Sequence, residues 1–474
     1  MIGANGGPIK TSIITFGKKI NKVERKARPK GPGDKVRQKT AKRPKVFFLT
    51  YGCTFNAADT DAIKESAKAG NAVAFAKSEA DADVVVINTC SVKDATQQKI
   101  LYKARQLEDS GKKLVMTGCL AQVSPELVEK AAPKASIIGI WSNSRMVDAI
   151  DSTFHDKKII QTKKTGALPF NVSVDGVFAR VQVSRGCLGC CTYCSTRLAR
   201  GRLESFPPET ILAGVAAAVR MGAKEIQLTG QDVACYGFDF ANEGWKARER
   251  ENLATLVEKI CKIPGRFRVR IGMGNPEHLG KIRESLAKAM ESEKVYKFLH
   301  IPAQSGSDSV LKRMGRGYTT REYEKIAAFF RKKIPGVTIE TDIIVGFPGE
   351  TQRDFEKTLE LIKRTRPQIT NVSKYSQRPK TVAARMRQVE KNAIKERSRI
   401  ASGLCKRIAL EENARMKGRK MTVLVTEKAR NFFSARAQNY KTVLLERGPV
   451  GAFLQVRITG FGQSHLRASR AKPE

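Results

Sequence analysis

The stretch Ser184-Arg185-Gly186-Cys187-Leu188-Gly189-Cys190-Cys191-Thr192-Tyr193-Cys194 decides how the chain is read. It holds four cysteines, three of them spaced Cys187-x3-Cys191-x2-Cys194. The residues before it, Val177-Phe178-Ala179-Arg180-Val181-Gln182-Val183, form an alternating apolar run that reads as a strand. The thiols therefore sit on a tight loop just past a strand end. Three thiolates on one short loop can hold three irons of a [4Fe–4S] cube and leave the fourth without a protein ligand. An open coordination position is what a catalytic metal centre requires. A zinc knuckle is the plainer reading of the same residues.

Upstream, from about residue 45 to 155, continuous apolar segments alternate with helical ones. Residues 45–50, 83–88, 113–117 and 136–140 read as strands, and 93–110 and 124–132 as helices. This alternation predicts a parallel sheet covered on both faces. A cysteine follows each of the first three strands, in Tyr51-Gly52-Cys53, Asn88-Thr89-Cys90-Ser91 and Thr117-Gly118-Cys119-Leu120. The carboxyl ends of parallel strands share one edge, and ligand sites form there. Cys53, Cys90 and Cys119 are thus expected to converge, beside small residues that let backbone approach a bulky inorganic ligand. A single buried cysteine is usually just a small hydrophobe. Three placed alike predict a second iron–sulfur cluster with three protein ligands.

Tyr51-Gly52-Cys53-Thr54-Phe55-Asn56, Asn88-Thr89-Cys90, Gly118-Cys119-Leu120-Ala121-Gln122 and the Cys187 loop together resemble the radical S-adenosylmethionine (SAM) methylthiotransferase family. The resemblance runs from about Lys45 to the C-terminus. It implies two [4Fe–4S] clusters, one on Cys187, Cys191 and Cys194 whose open iron chelates SAM, and one on Cys53, Cys90 and Cys119. Cys190 is set aside as a bystander, because Cys190-x3-Cys194 has no family counterpart.

Downstream of a polar linker (156–174), six strand candidates at 177–184, 225–229, 266–271, 297–300, 337–345 and 370–375 recur between helices. The helices fit 209–221, 253–262, 279–291, 320–333 and 352–365. Six such units predict a partial (β/α)6 barrel over 175–405, with its chemistry at the carboxyl ends of the strands. Those ends carry Thr229-Gly230-Gln231-Asp232, Gly272-Met273-Gly274-Asn275-Pro276, the segment from His300 through Gln304 to Ser307, and Gly346-Phe347-Pro348-Gly349-Glu350-Thr351. In the family, equivalent segments line the SAM pocket. The resemblance assigns Tyr193, Gly230, Gln231 and Asp232 to SAM binding, with Gln231 or Asp232 at its amino group, and Arg270 or Gln304 to positioning it. Met314, Arg316 and Tyr318 match a family segment whose plainer role is packing and surface charge. Lys380 and Val382 depart from the Gly and Pro usual at those places, which is expected to redirect that turn.

Past a charged helix at about 388–417, residues 422–427, 442–445 and 453–459 read as strands of a small β-barrel within a third domain, 406–474. Lys428, Arg430, Phe432, Phe433, Arg436 and Tyr440 are expected in its loops, where cations beside aromatics suit phosphate contact and base stacking. Its position and size resemble the TRAM RNA-binding module.

The formal net charge of +41, from 87 Lys+Arg against 46 Asp+Glu, points to a polyanionic partner such as nucleic acid. Part of the excess lies in a tail (1–44), in the block Lys18, Lys19, Lys22, Arg25, Lys26, Arg28 and Lys30 and the block Lys35, Arg37, Lys39, Lys42 and Arg43, whose composition predicts disorder. No apolar run approaches the roughly 20 residues that cross a bilayer, and no secretory signal is present. A cytoplasmic setting follows, where ten cysteines mean metal or redox chemistry instead of disulfides.

The sequence therefore predicts an α/β enzyme of three folded parts. Arg270-Ile271-Gly272-Met273-Gly274-Asn275-Pro276 and the segment from Asp342 to Thr351 look most like the archaeal and eukaryotic branch of the family. That branch methylthiolates carbon 2 of N6-threonylcarbamoyladenosine, 3′ of the tRNA anticodon. The implied partners are the tRNA anticodon stem-loop, an electron donor and a sulfur donor, acting on a monomer. Isopentenyladenosine in tRNA and a ribosomal-protein aspartate are the alternative substrates. A metal-bearing RNA-binding protein without catalysis is the alternative of another class.

Overall fold

Val84-Val85-Val86-Ile87-Asn88-Thr89 is buried at every position, as a strand covered on both faces must be. It lies inside a parallel sheet of β1 (Lys45–Thr50), β2 (Ala74–Phe75), β3 (Val84–Thr89), β4 (Lys113–Gly118), β5 (Ser136–Ile138) and β6 (Ile160–Gln161), in the order β2-β1-β3-β4-β5-β6. The intervening helices are α1 (Thr54–Ala69), α2 (Asp94–Asp109), α3 (Cys119–Val123), α4 (Pro125–Ala131) and α5 (Met146–Phe154). Alternate strand residues serve two cores. Val85, Ile87, Leu114 and Met116 pack with Ile100, Leu107 and Val128. Val84, Val86 and Val115 pack with Ile63, Ala149 and Ile150 on the other face. Burial of each such side chain contributes roughly 1.5–3 kcal/mol. The structure is a computed structural model that describes residues 43–92, 94–165, 170–240 and 251–470. The basic tail as far as Lys42, together with Lys93 and Pro169, lies outside the described residues.

The middle of the chain supplies β7 (Val174–Asp175), β8 (Phe178–Gln182), β9 (Ser184–Arg185), α6 (Ser195–Arg200), β10 (Glu204–Ser205), α7 (Pro208–Arg220), β11 (Glu225–Thr229), α8 (Leu253–Cys261) and β12 (Arg268–Arg270). It continues through α9 (Pro276–Ala289), β13 (Phe298–His300), α10 (Asp308–Arg313), α11 (Thr320–Lys333), β14 (Thr338–Val345), α12 (Gln352–Thr365) and β15 (Ile369–Lys374). Strands β8, β11 and β12 pair in parallel, as do β13, β14 and β15. Among the described residues, only the parallel bridges Val269–Val295 and Met273–His300 link the two sheets between β12 and β13. The six predicted strands thus form an open barrel, with one apolar core joining strands and helices.

Helix α13 (Lys391–Ala414) leads into a closed barrel of β16 (Lys420–Lys428), β17 (Phe433–Ala437), β18 (Thr442–Leu445), β19 (Phe453–Phe461) and β20 (Leu466–Arg470). One expectation is corrected here. Lys428 ends β16, and Phe433 and Arg436 lie in β17, not in loops. Tyr440, at the β17–β18 turn, is half-buried against the central barrel. Its hydroxyl donates to Glu225 Oε1 at 3.2 Å, and its ring packs on Tyr296 and Phe298. The Arg436 guanidinium stacks on that ring at 5.0 Å. Next to it, Gln438 Nε2 donates to Glu293 O and Val295 O, and Gln438 O accepts from Lys297 N. Glu225 and Phe298 begin β11 and β13, so this hairpin seats on the amino-terminal end of the central barrel. Among the described residues no helix is long and apolar enough to cross a membrane.

Candidate metal and SAM centre

Each cysteine of the first domain begins where a strand ends. Cys53 precedes α1 as its N-cap, Cys90 follows β3, and Cys119 opens α3. Gly118 makes the last turn possible. It adopts φ +95°, and a Cβ there would lie 2.3 Å from Asn88 Oδ1 and 2.4 Å from Thr89 O. Asn56 stitches the three loops together. Its Nδ2 donates to Tyr51 O (2.9 Å) and Thr89 O (3.0 Å), and its Oδ1 lies 3.8 Å from Cys119 Sγ. Cys90 and Cys119 are buried while Cys53 is exposed. Burial pushes the Cys119 thiol up to about 11 against the lowering effect of Arg200, with Cys53 and Cys90 close enough to add to the rise.

The second trio lies on the rim of the central barrel. Gly186, at φ +69°, has no room for a side chain, since a Cβ would fall 1.8 Å from Arg202 O. Gly189 N donates to Cys187 Sγ at 3.2 Å, Arg197 N to Cys194 Sγ at 3.4 Å, and Arg316 Nη1 to Cys191 Sγ at 3.2 Å. Thr192 anchors the loop through its N–H to Met314 O and its hydroxyl to Arg313 O. Burial, then the charge of Asp232 and the neighbouring thiols, pushes Cys187 up to about 12. Coordination removes such protons outright. Cys190 is exposed, and its Sγ turns to Leu188 O at 3.8 Å.

The donor sets discriminate between metal groups. A tetrahedral zinc, with Zn–S near 2.3 Å, holds its sulfurs about 3.8 Å apart. Among the described residues, the three-residue set whose ligand atoms all lie within 4.8 Å of one another is Asp232, Cys235 and His278; neither cysteine trio is that tight. Three sulfurs spread more widely, with N–H donors aimed at them, fit the faces of a cubane cluster. The Asp232 set is closed on itself. Asp232 Oδ1 accepts from Ala234 N and Asn275 N, Oδ2 pairs with His278 Nδ1 at 2.6 Å, and Cys235 Sγ donates to Asp232 O.

The rim also carries polar atoms without protein partners. Ser184 Oγ, Gln231 Oε1 and Gln304 Oε1 are buried and unbonded. Gly230 keeps the space beside Ser184 open, since a Cβ there would lie 3.1 Å from the hydroxyl. A polar ligand such as SAM fits that cradle. Gln304 holds φ +63°, a left-handed backbone uncommon for its residue type and frequent at binding sites. Tyr193 packs edge-on against Phe347, at 6.0 Å between centroids. Arg270 stands apart: its guanidinium stacks over Phe298 and Tyr440, beside the hairpin of the C-terminal barrel. His300 is hydrogen-bonded to Asp342 at 2.8 Å.

Sequence reasoning missed the residues that join the two trios. Ser91, next to Cys90, and Ser195, next to Cys194, share a 3.1 Å hydrogen bond. Arg200, at the end of α6, donates to Asp59 Oδ2 (2.6 Å) and Asn56 Oδ1 (2.9 Å) in the first domain. Arg378 Nη2 reaches Val92 O at 2.9 Å, and Lys380 Nζ reaches Val123 O at 2.7 Å. Lys380 keeps a positive φ of +66°, so the turn retains a backbone suited to glycine while its side chain tethers the end of α3. Asn56 sits in the quoted Cys53 motif and Arg200 six residues past Cys194. Their adjacency to cysteines was the available signal.

The rim loop and the barrel beneath it make this chain a radical SAM protein. The Radical SAM superfamily matches residues 181–362, and "Uncharacterized protein family UPF0004" matches 45–139. Membership implies SAM and a [4Fe–4S] cluster as cofactors. The fold is shared with the solved radical SAM methyltransferase TsrM from Kitasatospora setae, at a TM-score of 0.52 and 13% identity over 72% of this chain and 74% of that one. The chain is 39% identical over 429 residues to a Pyrococcus horikoshii protein named "Probable threonylcarbamoyladenosine tRNA methylthiotransferase", covering 89% of this chain and 98% of that one. It is 31% identical over 443 residues to the Homo sapiens "Threonylcarbamoyladenosine tRNA methylthiotransferase", covering 89% and 73%. The chain belongs to the threonylcarbamoyladenosine tRNA methylthiotransferase family.

Proposed function

We propose that this protein methylthiolates carbon 2 of N6-threonylcarbamoyladenosine next to the tRNA anticodon. The observation that carries the reading is the pair of three-cysteine sites, one on the strand ends of each domain, joined through Ser91–Ser195 and Arg200. When bound, SAM and the two clusters would supply radical hydrogen abstraction, and the sulfur and methyl group that replace the hydrogen. The chain's own residues do the rest. Cys187, Cys191 and Cys194 hold one cluster, and Cys53, Cys90 and Cys119 the other. Ser184, Gly230, Gln231 and Gln304 form the cradle for SAM, while Asp232 shapes that rim through Asn275 and His278. Tyr193 and Phe347 wall the loop from water. Orienting the two open irons and the target carbon lowers the entropic part of the barrier.

The basic composition and the C-terminal barrel serve tRNA binding, through residues still facing outward such as Lys428 and Phe432, the latter 39% exposed. The electron and sulfur donors come from outside the chain, which works in the cytoplasm. Mass spectrometry of tRNA nucleosides from cells lacking the protein tests the substrate. Loss of methylthio-threonylcarbamoyladenosine is expected; its persistence, with loss of methylthio-isopentenyladenosine or of a ribosomal-protein modification, would overturn the assignment. Failure of the anaerobically reconstituted protein to release 5′-deoxyadenosine from SAM would leave only the RNA-binding reading.

A further inference from the structure

Helix α6 carries something for both trios. Cys194 is its N-cap, and its last residue, Arg200, is only 4% exposed and belongs electrostatically to the other domain. The guanidinium lies over the Phe55 ring at 4.3 Å and bonds Asp59 Oδ2 and Asn56 Oδ1, the same oxygen that lies 3.8 Å from Cys119 Sγ. Asp59 is itself 2% exposed, and its other oxygen accepts from Gln182 Nε2 at 2.8 Å. Asn56, which receives Arg200, is the same residue that fixes the backbone of the Cys53 and Cys90 loops. A buried arginine needs one carboxylate to be tolerated. That requirement does not explain why the cation also shares the Asn56 oxygen with the Cys119 thiol.

We propose that Arg200 is a positioning residue for the second cysteine trio: a buried cation, delivered by the helix that starts at a ligand of the first trio, which holds Asn56 against Cys119 and the Cys53 loop and offsets the negative charge of that site. The proposal rests on the two-cluster reading. A cation beside a cluster favours the reduced form, which carries one more negative charge. Its removal therefore lowers the reduction potential and loosens the cluster.

The test uses the full chain with Cys187, Cys191 and Cys194 changed to alanine, so that only the second site can be loaded. After anaerobic reconstitution with iron and sulfide, iron per chain, the rate of cluster loss to a chelator, and the midpoint potential by EPR-monitored titration are measured. Arg200→Gln is expected to release its cluster on the order of 10–100-fold faster than the parent and to titrate at a more negative potential. Arg200→Lys should recover much of both. The double variant Arg200→Gln/Asp59→Asn removes both buried charges, which keeps it folded, and it should show the same lability. Retention and potential equal to the parent's in both Gln variants would overturn the proposal, even if thermal stability fell. A parent that takes up no cluster would overturn the two-cluster reading along with it.

Discussion

Tyr440 offers the sharpest test of how the C-terminal barrel is seated. Glu225 has no exposed surface, and its carboxylate accepts from Tyr296 (2.9 Å), Tyr440 (3.2 Å) and Gln227 Nε2 (2.7 Å). Tyr440→Phe keeps the ring and deletes one of these three donors, which costs about 1–3 kcal/mol when the acceptor is buried. Tyr440→Ala also removes the ring from between Tyr296, Phe298, Arg270 and Arg436, and costs about 3–5 kcal/mol. At 1.4 kcal/mol per tenfold, the Phe variant shifts docking of the hairpin by roughly five- to 150-fold. Urea unfolding midpoints, with limited proteolysis to follow release of the C-terminal barrel, read the effect. The expected order of resistance is parent, then Phe, then Ala. A Tyr440→Ala variant as stable and protease-resistant as the parent, but weaker in tRNA binding, would refute the reasoning and return Tyr440 to the RNA surface.

Changing Cys53, Cys90 and Cys119 to alanine should halve the reconstituted iron and abolish the methylthio product while 5′-deoxyadenosine is still released; loss of that release as well would mean that the sites are not separable. Asp59→Ala leaves Arg200 buried without its carboxylate and should destabilise the protein by about 3–5 kcal/mol in denaturant titration; a change under about 1 kcal/mol would show that Arg200 finds another partner. For His300, burial alone would lower the imidazole, but the hydrogen bond and charge of Asp342 hold it above its ordinary 6.5, with Glu340 adding and Arg270 opposing. A raised folded value means that the stabilisation is complete below about 6.5 and fades as pH rises through the folded value. The stability gap between the parent and His300→Gln should therefore shrink from about pH 5.5 to about pH 8.5; a constant or growing gap would contradict the assignment.

What was legible in the sequence followed from local rules. Continuous apolar runs such as Val84 to Ile87 announced parallel strands, and Thr319 with Glu322 forms the capping box that starts α11 where the pattern placed it. The cysteines were legible because three recur at the ends of successive strands and three more share one tight loop, a placement that isolated buried thiols do not produce. The residues between the trios were not, since their contacts are far apart in sequence: Arg200 is separated from Asp59 by 141 residues and from Asn56 by 144. Strands β17 and β20 escaped because Phe433-Ser434-Ala435-Arg436-Ala437 and Leu466-Arg467-Ala468-Ser469-Arg470 bury mainly small residues between polar ones. Tyr440 and Arg436 were misplaced for a chemical reason. A cation stacked on an aromatic ring serves an RNA base and a domain seam equally well, and composition does not tell the two apart.

The join between β12 and β13 has a mechanical consequence. The central barrel is an open hoop, and besides its gap it has a thin joint where, among the described residues, two isolated bridges link β12 to β13; Gln438 grips the Glu293–Val295 side of that joint from the C-terminal barrel. The module acts as a clasp on the hoop. Any load placed on it is passed to that joint, so a truncation that removes the clasp is expected to alter the bore of the central barrel.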